Sequence, residues 1–163
     1  MIYQEMPACF EKPIEVANCF VECAHTDGYK VEILLLLRNP ALPEPHADEW
    51  CIPGGKLERG EFARQCIRRE IPEEIGIELL RNEPVFLRKV YGKRDDDYGK
   101  KNFIFFLFHH SLGAKPDVVL NAVNKNGIKE HTDYRWVTPE SALEMRLIPD
   151  LDSMIKLCYP SNI

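Results

Sequence analysis

The sequence predicts an α/β domain in which a mixed sheet is flanked by helices, and three patterns lead to that prediction. Segments rich in Val, Ile, Leu and Phe recur along the chain with the length of strands. Other segments have the composition and the end signals of helices. One apolar segment, KVEILLLLR at residues 30–38, lacks alternation, as expected for a strand that is covered on both faces. Helices on both sides of the sheet would provide that cover.

The strand predictions rest on composition and on the turn signals between segments. Seven segments have the composition of strands: residues 16–24, 30–38, 50–53, 84–91, 102–110, 117–122 and 134–137. The first two are joined by HTDGY, whose Asp-Gly pair is a hairpin signal. Three prolines make NPALPEPHADE a loop, and the densely charged GKRDDDYGKK is the predicted tip of a second hairpin.

Three segments are predicted to be helices: residues 61–75, 139–145 and 150–159. Gly76 is a natural end for the first helix, since glycine tolerates the left-handed conformation that follows many helices. Thr138 and Pro139 have the residue types of an N-cap and a first helical position. No repeat, linker or low-complexity segment divides the sequence, so residues 1–163 are predicted to form a single domain.

The composition is that of a globular protein, with 45% hydrophobic and 29% charged residues. The formal net charge of -5 argues against binding to a nucleic acid backbone, which requires clustered excess Lys and Arg. The start lacks the pattern of a leader peptide, and no apolar run has the length of a membrane span, so we expect a cytoplasmic protein without a membrane partner. The six cysteines are accordingly expected to be reduced thiols, and their spacing does not predict a zinc site.

The segment RREIPEEIGI, residues 68–77, contains three glutamates around a proline within the first predicted helix. On a helical wheel, Glu73 lies about 60° to one side of Glu70, and Glu74 lies about 40° to the other. The apolar residues of the helix share this arc, so the carboxylates are predicted to face inward. Inward carboxylates need a counter-charge, and no Lys or Arg of the helix falls in the arc. The pattern therefore predicts a bound divalent cation.

The donor types indicate which cation to expect. Carboxylates are hard oxygen ligands and, with no thiolate or imidazole predicted beside them, they favour Mg²⁺, which Mn²⁺ can replace. Pro53, Gly54 and Gly55 precede the helix and allow an unusual backbone path, on which a carbonyl group could supply another oxygen. A simple turn explains the same three residues equally well.

These residues resemble the signature of the Nudix hydrolase family. Each fixed residue of that signature occurs at the correct spacing: Gly55, Glu61, Arg69, Glu70, Ile71, Glu73, Glu74, Gly76 and Ile77. The resemblance implies an α/β/α sandwich and Mg²⁺-dependent hydrolysis of a nucleoside diphosphate linked to another group. The family's metal ligands correspond to four positions here: Gly55 through its carbonyl, Glu70, Glu73 and Glu74. Its orienting residues correspond to Glu61 and Arg69.

The resemblance also implies a further carboxylate in the loop before the last strand. Glu130 is the first candidate for it, and Asp133 is the second. We expect catalysis to depend on Glu70, Glu74 and Glu130, and either Glu70 or Glu130 could act as the general base. Pro72 departs from the family pattern, and we expect it to kink the end of the helix because it cannot donate a hydrogen bond to Arg68.

The sequence narrows the substrate without fixing it. Marks of the family's ADP-ribose, dinucleoside polyphosphate and coenzyme A hydrolases have no match here, which leaves a nucleoside triphosphate, slightly preferred, or a nucleotide sugar. Arg38 ends a buried strand and could contact phosphate, although a surface arginine explains it as well. Two alternatives stay open: a non-catalytic nucleotide-binding or sensor module, and an RNA 5′-end pyrophosphohydrolase. A homodimer is compatible with each of these functions.

Overall fold

The computed structural model describes residues 1–24, 28, 30–43, 45–80, 83–96 and 99–160, and in it one mixed sheet carries three helices. The strands are β1 (Ile2–Tyr3), β2 (Ile14–Ala24), β3 (Val31–Arg38), β4 (Trp50–Cys51), β5 (Gly54–Lys56), β6 (Val85–Asp96), β7 (Gly99–Leu112) and β8 (His131–Val137). The helices are α1 (Ala63–Ile75), α2 (Pro139–Ala142) and α3 (Leu151–Cys158). None of these helices has the length and apolarity that a bilayer crossing requires.

The sheet is mixed, as the sequence predicted. Its strands follow the order β1-β6-β7-β2-β3-β4, while β5 pairs with β2 and β8 pairs with β3. The central β2–β7 pair is parallel, whereas β6 and β7 form the antiparallel hairpin that the sequence indicated. Because β5 covers only Val16 to Asn18 of β2, it is a short edge strand, and the chain turns from it directly towards α1.

The side chains of β3 explain why this strand is apolar throughout. Leu34 and Leu36 pack on one face of the sheet, in the core that includes the buried side of α1. Ile33 and Leu35 pack on the other face, in the core that includes α2 and α3. Helices therefore cover both faces, and the predicted α/β/α sandwich is confirmed.

Helix α1 begins two residues later than predicted, at Ala63, so Glu61 belongs to the preceding loop. The start is fixed by Gln65, whose side chain accepts a hydrogen bond from the Phe62 N–H at 2.9 Å. The helix runs through Pro72 and ends at Gly76, which has the left-handed conformation predicted for it. The Gly76 N–H donates to the Pro72 carbonyl at 3.0 Å, so the last turn stays closed after the proline.

Further predictions of secondary structure differ from the structure, and one falls mostly outside the described residues. Residues 117–122 form no strand: instead of joining the sheet edge, the Val119 N–H donates to the Ile75 carbonyl at the end of α1. Helix α2 ends at Ala142 rather than residue 145, because the Glu144 and Met145 N–H groups bond to carbonyls three residues back, in a tighter turn. The turn HTDGY lies outside the described residues except for Gly28.

A half-buried carboxylate ties the end of α3 to the sheet. Glu22 on β2 accepts hydrogen bonds from Ser111 Oγ at 2.6 Å and from Tyr159 Oη at 2.8 Å, and His109 Nδ1 lies 3.0 Å away. Burial raises the pKa of Glu22, but the hydrogen bonds from these three residues outweigh burial and lower the pKa below its ordinary value. The ionised carboxylate is thus part of the folded structure.

We expect Glu22→Gln to lower the free energy of unfolding by about 2 kcal/mol at neutral pH, the scale of hydrogen bonds to a charged group. Because the folded-state pKa is lowered, this stabilisation is present above about pH 4 and is lost as the pH falls through the folded-state value. Urea unfolding at neutral and acidic pH measures both effects. Glu15→Gln, an exposed change on the same strand, is the control. An equal loss at both pH values would contradict this role.

Candidate active site

A cleft of about 720 Å³ opens beside β5, between α1 and the loop that leads to β8. Seven of the site residues predicted from the sequence line it: Arg38, Gly55, Arg69, Glu70, Glu73, Glu74 and Glu130. Glu61 does not line this cleft, but its carboxylate bonds to Arg69, which does. The structure therefore brings residues from four separate parts of the chain to one place.

Glu74 is the most deeply buried carboxylate of the cleft, with its side chain 5% exposed. Its Oε2 accepts a hydrogen bond of 2.7 Å from the Gly54 N–H. Burial raises the pKa of Glu74 well above its ordinary value, and the nearby charges of Glu70 and Glu130 raise it further. The ionised form of Glu74 therefore needs a positive charge close to it.

Glu70 lies directly against the backbone of Gly55. A β-carbon on Gly55 would collide with the Glu70 carboxylate, so the absence of a side chain is what permits this approach. Burial raises the pKa of Glu70; the hydrogen bond and charge of Arg69 oppose that shift, while the charges of Glu73 and Glu130 add to it, and the net direction is upward. The approach places a carboxylate against the backbone of the short edge strand β5.

Arg69 connects the carboxylates of the site. It binds Glu61 through Nε and Nη2, both at 3.0 Å, and its Nη1 lies 2.7 Å from Glu70 Oε1. A longer ion pair of 3.6 Å joins Nη1 to Glu73. No Lys or Arg of α1 lies within the arc of the carboxylates, but the long Arg69 side chain reaches Glu70 from outside it, so this helix does supply Glu70 with a counter-charge. Arg69 fixes the orientation of Glu70 and leaves buried Glu74 without an ion pair to it.

Glu73 faces outward more than the helical wheel predicted, since its side chain is 58% exposed. It stands at one edge of the arc near the end of α1. The inward prediction is right for Glu70 and Glu74 and wrong for Glu73. Glu73 nevertheless borders the same cleft.

Glu130 immediately precedes β8, and its backbone is held at both ends. Its N–H donates to the Ala122 carbonyl at 3.0 Å, and its carbonyl accepts the Asn39 N–H at 2.9 Å. The side chain borders the cleft beside Glu74. The second candidate, Asp133, is 51% exposed and lies outside the residues that line the cleft.

Sequence reasoning missed His131, and the expectation that no imidazole lies beside the carboxylates is wrong. The His131 Nε2 is 3.8 Å from Glu74 Oε1 and 3.5 Å from Cys51 Sγ. Burial, assisted by the charge of Arg38, lowers the pKa of His131 to about 4, so the ring is neutral at neutral pH. Its position next to Glu130 in the sequence was the signal that could have identified it.

An aromatic wall, formed by Phe103 and Phe105 of β7 with Arg94 of β6, borders another part of the cleft. The two rings are nearly parallel with centroids 5.5 Å apart, and the Arg94 guanidinium lies 4.5 Å from the Phe103 centroid. Asp150 holds that guanidinium through a 2.9 Å ion pair to Nε. The sequence indicated only that these residues belong to a hairpin.

The acidic residues fit a divalent cation. Glu70, Glu74 and Glu130 provide carboxylate oxygens in one cleft, and the backbone of Gly55 borders that cleft against Glu70. The raised pKa values of Glu70 and Glu74 reflect crowding and burial of negative charge, which a cation would relieve. Oxygen donors of this type suit Mg²⁺ and Mn²⁺.

An α/β/α sandwich with this acidic cleft beside its first helix defines a class of hydrolase that acts on phosphoanhydrides. The NUDIX domain family model matches residues 16–158, and the chain belongs to the NUDIX family. Nucleoside triphosphatase NudI of Escherichia coli is 32% identical over 103 residues, which cover 61% of this chain and 68% of that protein. The chain is thus an enzyme of this family, a pyrophosphohydrolase.

Solved structures share the fold at low sequence identity. The NUDIX domain of Shewanella oneidensis NrtR, in complex with ADP ribose, gives a TM-score of 0.70 at 17% identity over 96% of this chain and 93% of that chain. A bifunctional NMN adenylyltransferase/ADP ribose pyrophosphatase from Francisella tularensis, complexed with AMP and a manganese ion, gives 0.67 at 21% identity. That match covers 96% of this chain and 44% of the other.

The approach of Glu70 to Gly55 can be tested with one methyl group. We expect Gly55→Ala to displace the Glu70 carboxylate and to weaken Mg²⁺ or Mn²⁺ binding by about tenfold or more, while the protein still folds because the Glu70 side chain can rotate away. Isothermal titration calorimetry and a thermal melt measure the two effects. Gly113→Ala, which adds a methyl group in open space, is the control. Metal affinity equal to that of the control would contradict this account.

Proposed function

We propose that this chain hydrolyses a phosphoanhydride bond of a nucleoside triphosphate, with Mg²⁺ or Mn²⁺ as its cofactor. The observation that carries the proposal is that a single cleft joins the acidic residues of α1 to the aromatic wall. The acidic end suits a metal-bound phosphate chain, and the aromatic wall suits a nucleobase, which stacks on aromatic and guanidinium planes. Similarity to the nucleoside triphosphatase NudI supports the same class of substrate.

The dimensions of the cleft support a nucleotide. Phe105 on β7 pairs with Val16 on β2, and Val16 pairs with Lys56 on β5. Because neighbouring strands are about 4.8 Å apart, the aromatic wall lies about 10 Å from β5 across the sheet. This separation leaves room for a ribose and for phosphates between a stacked base and the carboxylates.

The cofactor would be held by Glu70, Glu74 and the Gly55 carbonyl, with Glu73 at the open side of the cleft. A divalent cation there would neutralise phosphate charge and make water a better nucleophile. A manganese ion in the similar Francisella tularensis enzyme supports this type of cofactor. The chain's own residues perform the remaining tasks.

Those tasks are phosphate binding, orientation and proton transfer. Arg38 borders the cleft and is oriented by its Nε, which donates to the His46 carbonyl at 3.1 Å, so its guanidinium can contact a phosphate. Arg69 holds Glu70 and Glu61 in fixed positions. Glu130 accepts the proton of the attacking water as general base, a role for which Glu70 is less suited because Arg69 binds its Oε1 at 2.7 Å.

Three other functions fit less well. A nucleotide sugar could occupy the same cleft, and it is the strongest alternative substrate. A non-catalytic nucleotide-binding or sensor module would not require the carboxylates of the Nudix signature, all of which are present. An RNA 5′-end pyrophosphohydrolase would benefit from a basic surface, whereas the net charge is -5.

A hydrolysis screen tests the substrate class. Nucleoside triphosphates, nucleotide sugars, dinucleoside polyphosphates and ADP-ribose would each be incubated with Mg²⁺ or Mn²⁺, and the products separated by anion-exchange chromatography. We expect kcat/KM for at least one nucleoside triphosphate to exceed that for every nucleotide sugar by about tenfold or more, since only the former offers a free phosphate chain to the acidic end. A nucleotide sugar as the best substrate would contradict the proposal.

The role of Glu130 is tested by a pair of variants. We expect Glu130→Gln to lower kcat by about a hundredfold or more with a smaller change in KM, because a general base acts in the transition state. Asp133→Asn removes a nearby exposed carboxylate and should leave kcat within about threefold of the parent. Glu130 is not the base if both variants lose the same fraction of kcat, or if kcat falls only in Asp133→Asn.

A further inference from the structure

His131 is a buried imidazole whose nitrogen atoms lack good hydrogen-bond partners. The residue is 5% exposed, and its Nδ1 has no partner among the residues described. Its Nε2 has a thiol sulfur at 3.5 Å and the Glu74 carboxylate at 3.8 Å, and the second distance is too long for a hydrogen bond. Sulfur is a weak hydrogen-bond partner, so Nε2, the nitrogen that faces the carboxylates, can exchange this contact for a metal ion.

The surroundings of Nε2 have the composition of a cation site. One ligand atom each of Glu74, Glu130 and His131 lie within 4.8 Å of one another. Glu74 Oε2 is engaged by the Gly54 N–H, which leaves Oε1 directed towards the ring. These three residues come from α1, from the loop before β8, and from the first position of β8.

The separations match those of ligands that share one ion. Two atoms that each lie about 2.1 Å from a cation can be at most about 4.2 Å apart. The 3.8 Å between His131 Nε2 and Glu74 Oε1 is already within that limit. The Glu130 side chain can close the remaining gap by a change of rotamer, since its backbone is fixed and its carboxylate borders the open cleft.

We propose that His131 binds a divalent cation through Nε2, together with Glu74 and one carboxylate oxygen of Glu130, at the buried end of the cleft, while the other Glu130 oxygen remains available as the general base. The inference rests on the proposed metal dependence and adds a nitrogen ligand to a set of oxygens. The ring proton would then reside on Nδ1. Imidazole is a better ligand for Mn²⁺ than for Mg²⁺, which prefers oxygen donors, so this position selects Mn²⁺.

The first experiment uses the unsubstituted protein with Mn²⁺ as the probe. Electron spin-echo envelope modulation detects a nitrogen bound directly to Mn²⁺, and isotopic labelling of the histidine rings identifies that nitrogen as histidine. We expect histidine nitrogen coupling in the Mn²⁺-loaded protein. Bound Mn²⁺ without such coupling would overturn the proposal, whatever the activity of the enzyme.

A second set of variants assigns the coupling to one residue. The coupling should disappear in His131→Gln and persist when each of the other four histidines is replaced by glutamine. Loss of the coupling in any of those four variants would overturn the assignment, and this test does not depend on whether His131→Gln folds. His110→Gln is the closest control, since His110 is also a buried histidine on a strand but lies outside the cleft.

The expected change in affinity separates this proposal from the proposed function. His131→Gln should weaken Mn²⁺ binding by about tenfold or more and Mg²⁺ binding by less than about threefold, as measured by calorimetry. Equal losses for both ions would overturn the nitrogen-ligand role. If the proposed function is wrong, the parent enzyme will not hydrolyse nucleoside triphosphates in the substrate screen, and the histidine nitrogen coupling can still be present.

Discussion

The site depends on one close approach, in which two carboxylates of α1 meet the side-chain-free backbone of Gly54 and Gly55. Glu74 takes a hydrogen bond from the Gly54 N–H, and Glu70 occupies the space that a β-carbon on Gly55 would fill. Desolvation disfavours both carboxylates, so this contact opposes folding unless positive charge is near. Arg69 provides such charge to Glu70, and the cleft leaves space for a cation next to Glu74.

Packing against the sheet holds α1 in this position although the burial of its two carboxylates is unfavourable. Ile67 and Ile71, both fully buried, lie on the same helix as Glu70 and Glu74 and anchor it against the sheet. Each large aliphatic side chain contributes about 1.5–3 kcal/mol on burial, which offsets part of the cost of the buried carboxylates. The helix therefore cannot rotate its acidic side towards water without losing its apolar contacts. A bound cation would couple its own affinity to the stability of this arrangement.

The sequence predicted those features that depend on local periodicity. Three features follow from the geometry of one strand or one helix: the burial of β3 on both faces, the end of α1 at Gly76, and the position of Glu70 and Glu74 on the same side of α1. It did not predict contacts that depend on strand register or on side-chain reach. His131 meets Glu74 only because β8 pairs with β3, and Arg69 meets Glu70 because its side chain is long. Residues 117–122 have strand composition, but the Val119 N–H bonds to the end of α1 instead of a sheet edge.

The parallel pairing of β2 with β7 has a consequence for the order in which the protein is assembled. Glu15 on β2 pairs with Ile104 on β7, so all of the chain between these two residues must be synthesised before the central sheet can form. Glu130, in the loop before β8, emerges later still. Nascent chains on the ribosome therefore display the acidic helix well before the cleft exists. Pairings so distant in sequence also slow folding, because loop closure precedes the contacts that compensate for it.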